Sequence, residues 1–82
     1  MASLSVLNAS GDTTVTWNER AFAEDESEAV AAVTEAEHLF AEARANGAEA
    51  FLLRRGEVAT RVTRLNPAMN EDVVIIPRMV GG

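Results

Sequence analysis

Asp72-Val73-Val74-Ile75-Ile76-Pro77 is the stretch that decides the fold. Its consecutive β-branched apolar residues read as a strand that is covered on both sides or lies at the centre of a sheet. Pro77 has no amide hydrogen and marks the point where ladder pairing falters. Arg78-Met79-Val80-Gly81-Gly82 follows, with no flexible linker between the strand and the two glycines. Glycine has no Cβ, so a Gly-Gly terminus offers a carboxylate slim enough to be threaded through a narrow channel into another protein's active site.

Working backwards, Ala68 to Glu71 reads as a loop, and Asn66-Pro67 breaks the element before it. Glu57 to Leu65 alternates, with Val58, Thr60, Val62 and Arg64 set against Ala59, Arg61 and Thr63, which predicts a strand with one wet face. Arg55-Gly56 joins it to a short apolar strand over Ala48 to Arg54. From Glu26 to about Asn46 the chain is rich in the strong helix formers Ala and Glu. Ala29, Val33, Ala36, Phe40 and Ala43 make one apolar stripe, while Glu28, Glu35, Glu42 and Arg44 fall largely off it. Asp25 with Glu28 predicts a capping box at the start of this helix, and Asn46-Gly47 its end. Asn18 to Glu24 reads as a connection, with Phe22 packing down as a satellite of the core. Ser3 to Leu7 and Thr13 to Trp17 alternate about a turn cluster at Asn8 to Asp12, predicting an N-terminal hairpin with Trp17 in the core. The order is strand, strand, helix, strand, strand, strand. It predicts an α+β domain in which one helix crosses one face of a four- or five-stranded mixed sheet. The last strand is placed centrally, parallel to the first, with the helical segment as crossover.

Composition narrows the function. The 82 residues, 48% of them hydrophobic, suit one small domain. Without cysteine there is no disulfide, thiolate metal site or thiol nucleophile, and with one histidine a zinc site is not expected. Thirteen acidic residues against seven basic ones give a net charge of −6, which argues against nucleic acid and anionic membranes as partners. No apolar run is long enough for a membrane span and no secretory signal opens the chain, so a cytoplasmic location is expected. All seven basic residues are arginine. A chain without lysine cannot be ligated to another copy of itself through an ε-amine.

Beyond the tail, little in the sequence points to chemistry. His38 lies among acidic neighbours on the helix and reads as a solvated histidine. Glu24-Asp25-Glu26 suits the positive end of the helix dipole. Gly11, Gly47 and Gly56 are isolated and form no phosphate cradle. Arg54, Arg55, Arg61 and Arg64 are dense for an acidic chain; if their strands pair, several share an outer face. Arg61 and Arg64 are therefore candidates for docking an acidic partner, the alternative being an ordinary wet sheet face.

With this order of elements and this tail, the chain resembles the ubiquitin-like β-grasp proteins, and its tail most resembles the bacterial sulfur carriers of thiamin and molybdopterin synthesis. Glu71-Asp72-Val73 matches the acidic pair and valine that open the family's final strand, Val74-Ile75-Ile76 the apolar run, Pro77 the first proline, and Gly81-Gly82 the end. Arg78 departs from the usual second proline, and Val80 is bulkier than the small residue expected there. The specific match runs from Glu71 to Gly82; over the rest, the order of elements agrees.

The resemblance implies a β-grasp domain over residues 1–77 with an exposed tail at 78–82. It also implies that the protein is a substrate and not an enzyme. An E1-like adenylyltransferase, which brings the ATP, would activate the Gly82 carboxylate. Sulfur would then attack the acyl adenylate to give a thiocarboxylate or thioester, or an amine would attack it to give an amide. Gly82 would carry the reacting carbon and Gly81 the slim passage, while Arg78, Met79 and Val80 would be the segment the partner grips. An E2-like protein, a deconjugating peptidase and a target protein are the further partners implied. Sulfur carrier and protein modifier remain open at this point. So do a small non-enzymatic structural or assembly subunit that uses the fold for binding alone, and a regulatory module docking through its helix or its arginines.

Overall fold

The computed structural model describes residues 1–7 and 11–77. Strands β1 (Ala2–Val6) and β2 (Thr13–Trp17) precede a short helix α1 (Glu19–Ala23) and the main helix α2 (Ser27–Ala45). Strands β3 (Glu49–Leu53), β4 (Thr60–Val62) and β5 (Asp72–Ile76) complete an α+β domain. They form one mixed five-stranded sheet in the order β2-β1-β5-β3-β4. As the apolar run predicts, β5 is central, parallel to β1 and antiparallel to β3.

Register assigns the two faces of the sheet. Leu4 lies opposite both Val15 and Val73, and Ala50 opposite both Ile75 and Val62, so these residues share the inner face. Ala29, Val33, Ala36 and Phe40 of α2 are buried in the same core, together with Trp17. Ala2, Ala36 and Ala50 are fully buried without bulk, so the core volume comes from Leu4, Ile75, Val33, Phe40 and Trp17. Each full-sized side chain of this kind contributes about 1.5–3 kcal/mol on burial. Trp17 also donates its indole N–H to the Pro67 carbonyl at 2.9 Å, which straps the loop before β5 to the opposite edge of the sheet. Phe22 packs against the core as a partly buried satellite.

Three local expectations are corrected. Asn18 to Glu24 is not a plain connection: Asn18 caps α1, its side chain accepting from the Ala21 N–H at 2.9 Å. Asp25 does not cap α2. It adopts φ +57° directly after Glu24, the C-cap of α1, with Asp25 N–H bonded to Phe22 O and Glu26 N–H to Ala21 O, both at 3.0 Å. This paired pattern is a Schellman motif, which ends α1 and turns the chain into α2. Glu26 then takes the N-cap position of α2 without a side-chain cap bond, so the capping box is absent.

The strand expected over Glu57 to Leu65 contracts to Thr60–Val62. Only Ala50, Phe51 and Leu52 of β3 pair with it, and Val58 is 89% exposed in the turn that Gly56 opens at φ +75°. The alternation holds within β4, where Val62 faces inward and Arg61 outward, but β4 is an edge strand whose partner is only five residues long. At the other helix end, Asn46 is the C-cap of α2 and Gly47 takes φ +84°, as expected of a glycine stop.

Candidate functional site

The candidate site is built around β5, because every residue of the tail continues from it. Its entry is pinned by the acidic pair. Ser3 N–H donates to Glu71 O at 3.0 Å, Ser3 Oγ to Asp72 Oδ1 at 2.7 Å, and Arg54 Nη2 to Glu71 Oε2 at 3.2 Å. Near its exit, Leu7 N–H donates to Ile75 O at 3.0 Å. A central strand bonded on both edges is the most firmly fixed position in a sheet, so the backbone is held up to Ile76. Arg78, Met79, Val80, Gly81 and Gly82 lie outside the described residues.

The outer face of the sheet carries a feature that sequence reasoning missed. Phe51 pairs with Val74 and Glu49 with Ile76, so Phe51, Leu53, Val74 and Ile76 lie together on the side away from α2. Leu53 is 45% and Ile76 43% exposed, and Phe51 and Val74 are half-buried. Ser3, Ser5, Thr14 and Thr16 border this row on one side. The signal was the four-residue apolar run itself, which satisfies the inner face with Val73 and Ile75 and leaves Val74 and Ile76 over.

Arg61 and Arg64 are not brought together. Arg61 pairs with Phe51 in register, so it sits on the outer face, and its Nε donates to Glu49 Oε2 at 2.8 Å. Arg64 lies past the end of β4 and lines an open groove against α2 with Glu37, Phe40, Ala41 and Arg44. Arg54 is tied to Glu71. The shared outer face considered for the arginines therefore does not form for this pair: Arg61 faces away from α2, whereas Arg64 lines a groove against it. A second groove, of about 270 Å³, is lined by Val6, Leu39, Ala43, Ile75 and Pro77 where β5 ends.

His38 is exposed on α2, with Nε2 3.5 Å from Glu42 Oε2 one turn on. Among the described residues, no three His, Asp or Glu side chains are grouped to hold a metal ion, and no helix is long and apolar enough to cross a membrane. Among the described residues, Glu19 is the one carboxyl with a resolved shift. The hydrogen bond from its own backbone N–H holds it below the usual glutamate range; partial burial opposes this, and the Met1 ammonium, 3.3 Å from Oε2, and Arg20 reinforce it. Oε2 is covered and has no hydrogen-bond partner, so its contact with the ammonium is ionic and not a well-directed hydrogen bond.

Comparison with protein-family models, curated proteins and solved structures gives no match for this chain.

Proposed function

We propose that this protein is a cytoplasmic ubiquitin-like carrier or modifier with a β-grasp fold, activated at the Gly82 carboxylate by an E1-like partner enzyme. The observation that carries this reading is that the strand leading into Gly81-Gly82 is the central strand of the sheet, parallel to β1 and anchored at its entry by Glu71 and Asp72. A handle works best when its base does not move, because a reacting carbon displaced by an ångström loses most of the benefit of positioning. The apolar row of Phe51, Leu53, Val74 and Ile76 shares β5 with the tail, so one partner surface can cover the row while its channel receives Arg78 to Gly82.

The chemistry is done to the chain. A Gly82 carboxylate oxygen attacks the α-phosphorus of ATP, forming a P–O bond as pyrophosphate leaves. The acyl adenylate then meets a thiol, giving a thioester, or an amine, giving an amide; in each case the C–O bond to AMP breaks and a proton is released. A persulfide donor would instead give an acyl disulfide, which a second thiol cleaves to the thiocarboxylate. The absence of lysine favours a carrier or a modifier attached singly.

The test is intact mass after incubation with ATP and a candidate E1-like enzyme, with and without a sulfide donor. A gain of one adenylate, or exchange of carboxylate oxygen for sulfur, is the expected result, and deletion of Gly81 and Gly82 should abolish it. An unchanged mass with every such enzyme encoded nearby would overturn the reading. The exposed apolar row also favours a second reading, a small assembly subunit that binds through its sheet face. Such a subunit keeps its partner when Gly81 and Gly82 are deleted and loses it when Leu53 and Ile76 are made polar.

A further inference from the structure

Arg44 and Arg64 flank one open groove between α2 and the segment after β4, and we propose that this groove docks an acidic peptide segment of a partner protein that also carries an apolar side chain. The site is independent of the tail. Its volume is about 400 Å³, and Phe40, Ala41 and Leu65 supply the apolar lining. Glu37, Phe40, Ala41 and Arg44 stand at i, i+3, i+4 and i+7, so one face of α2 forms a whole wall. Leu65 packs partly buried against the core, which fixes the opposite wall.

The charges determine what fits. Arg54 and Arg61 are each held by a carboxylate of the chain itself, whereas Arg44 and Arg64, among the described residues, have no carboxylate within 4.0 Å. Two uncommitted guanidiniums beside an apolar floor, on a protein of net charge −6, form a local reversal of sign. Arg44 lies in the last turn of α2, where the carbonyl end of the helix carries roughly half a negative charge. Two full positive charges outweigh that half charge together with the single charge of Glu37, so the arginine end of the groove favours an anion. A guanidinium presents a planar fork matched to carboxylate, which selects aspartate or glutamate side chains. Glu37 lies two turns from Arg44, about 10 Å along the helix at 1.5 Å per residue. It repels a second carboxylate at that end and so sets the direction of the peptide: acidic residue over the arginines, apolar side chain against Phe40 and Leu65.

The experiment is a titration of the full-length, isotope-labelled chain, followed by amide chemical shifts. The probe is a capped pentapeptide of alternating aspartate and leucine, and its control is the same peptide with asparagine for aspartate. Shifts should map to Phe40, Ala41, Arg44 and Thr63 to Leu65, and the neutral control should bind about tenfold more weakly. Arg64→Glu should abolish binding and Arg44→Ala weaken it about three- to tenfold. Both side chains are exposed, so an unchanged thermal midpoint confirms that the variants fold. A chain lacking Gly81 and Gly82 should bind equally, which separates this result from the fate of the carrier reading. No shifts at about 1 mM peptide, shifts centred on the outer sheet row, or wild-type affinity in Arg64→Glu would each overturn the proposal.

Discussion

Replacing Asp25 by glycine should leave the protein distinctly more stable than replacing it by alanine. Asp25 holds φ +57° as the residue after the C-cap of α1, and its conformation sets up the paired bonds from Asp25 N–H to Phe22 O and from Glu26 N–H to Ala21 O. An L-residue with a Cβ pays about 1–2 kcal/mol to sit in the left-handed region, a penalty that aspartate partly relieves through local hydrogen bonding. Glycine escapes the penalty but gives back about 0.5–1 kcal/mol in unfolded-state entropy. The charge of Asp25 beside the start of α2 is lost in both variants, so their difference isolates the backbone. The expected gap is about 1 kcal/mol. With about 2.1 cal/mol/K of unfolding entropy per residue, the 82-residue chain has about 0.17 kcal/mol/K, and the gap becomes about 6 °C in thermal midpoint. Thermal unfolding followed by far-UV circular dichroism reads it directly, and urea unfolding with unchanged slope confirms that only stability has moved. If the alanine variant melts with or above the glycine variant, the turn between the helices is not the Schellman geometry described.

The pH dependence should carry the signature of Glu19. Its carboxyl is held below the usual value near 4.5, so its contribution is present above that value and lost as pH falls through the lower folded-state value. Glu19→Gln should therefore flatten the fall of the thermal midpoint below about pH 4.5, whereas parallel curves for the two proteins would show that neither the backbone hydrogen bond nor the Met1 ammonium stabilises the ionised carboxylate. Along β5 the two isoleucines should part ways. Ile75 is fully buried, and Ile75→Ala should cost about 2–5 kcal/mol. Ile76 is 43% exposed, and Ile76→Ala should cost less than about 1 kcal/mol; under the proposed function it should also slow adenylation by an E1-like enzyme, and equal losses of stability would mean that the outer row is packed.

The long-range architecture was legible because it rests on burial. The apolar run from Val73 to Ile76 pointed to the centre of the sheet, where Val73 and Ile75 are buried, and the stripe of α2 needed a face to cover; together these placed β5 beside β1. What the sequence hid was decided by backbone geometry. Nothing in the residue type of Asp25 tells an N-cap from a left-handed turn, since short polar side chains serve in both. Asn18 was read as part of a connection, because α1 is only five residues long and carries too little periodicity to reveal itself. The arginines show a different limit. Alternation over Glu57 to Leu65 sets Arg64 with Val62, on the side that α2 covers, and Arg61 on the other, so their density along the chain was no guide to a shared face. That Arg64 lines the same groove as Arg44 depends on how α2 packs, which the strand pattern does not carry.

The position of β5 also determines which truncations are informative. It alone joins β1 to β3, so without it the sheet falls into two hairpins, β1-β2 and β3-β4, connected only through α2. Two-stranded hairpins are marginal in water, and the core loses Val73 and Ile75 at the same time. Any cut that reaches β5 therefore destroys the fold and says nothing about the chemistry of the tail. A cut confined to Gly81 and Gly82 lies beyond the last residue of the ladder, Ile76, and beyond Pro77, which has no N–H to contribute. It should remove the acyl handle at no cost in thermal midpoint. Loss of activation with an unchanged midpoint would assign the function to the tail itself; a fall in midpoint would mean that the terminal glycines hold part of the fold, and the handle would then have no independent existence.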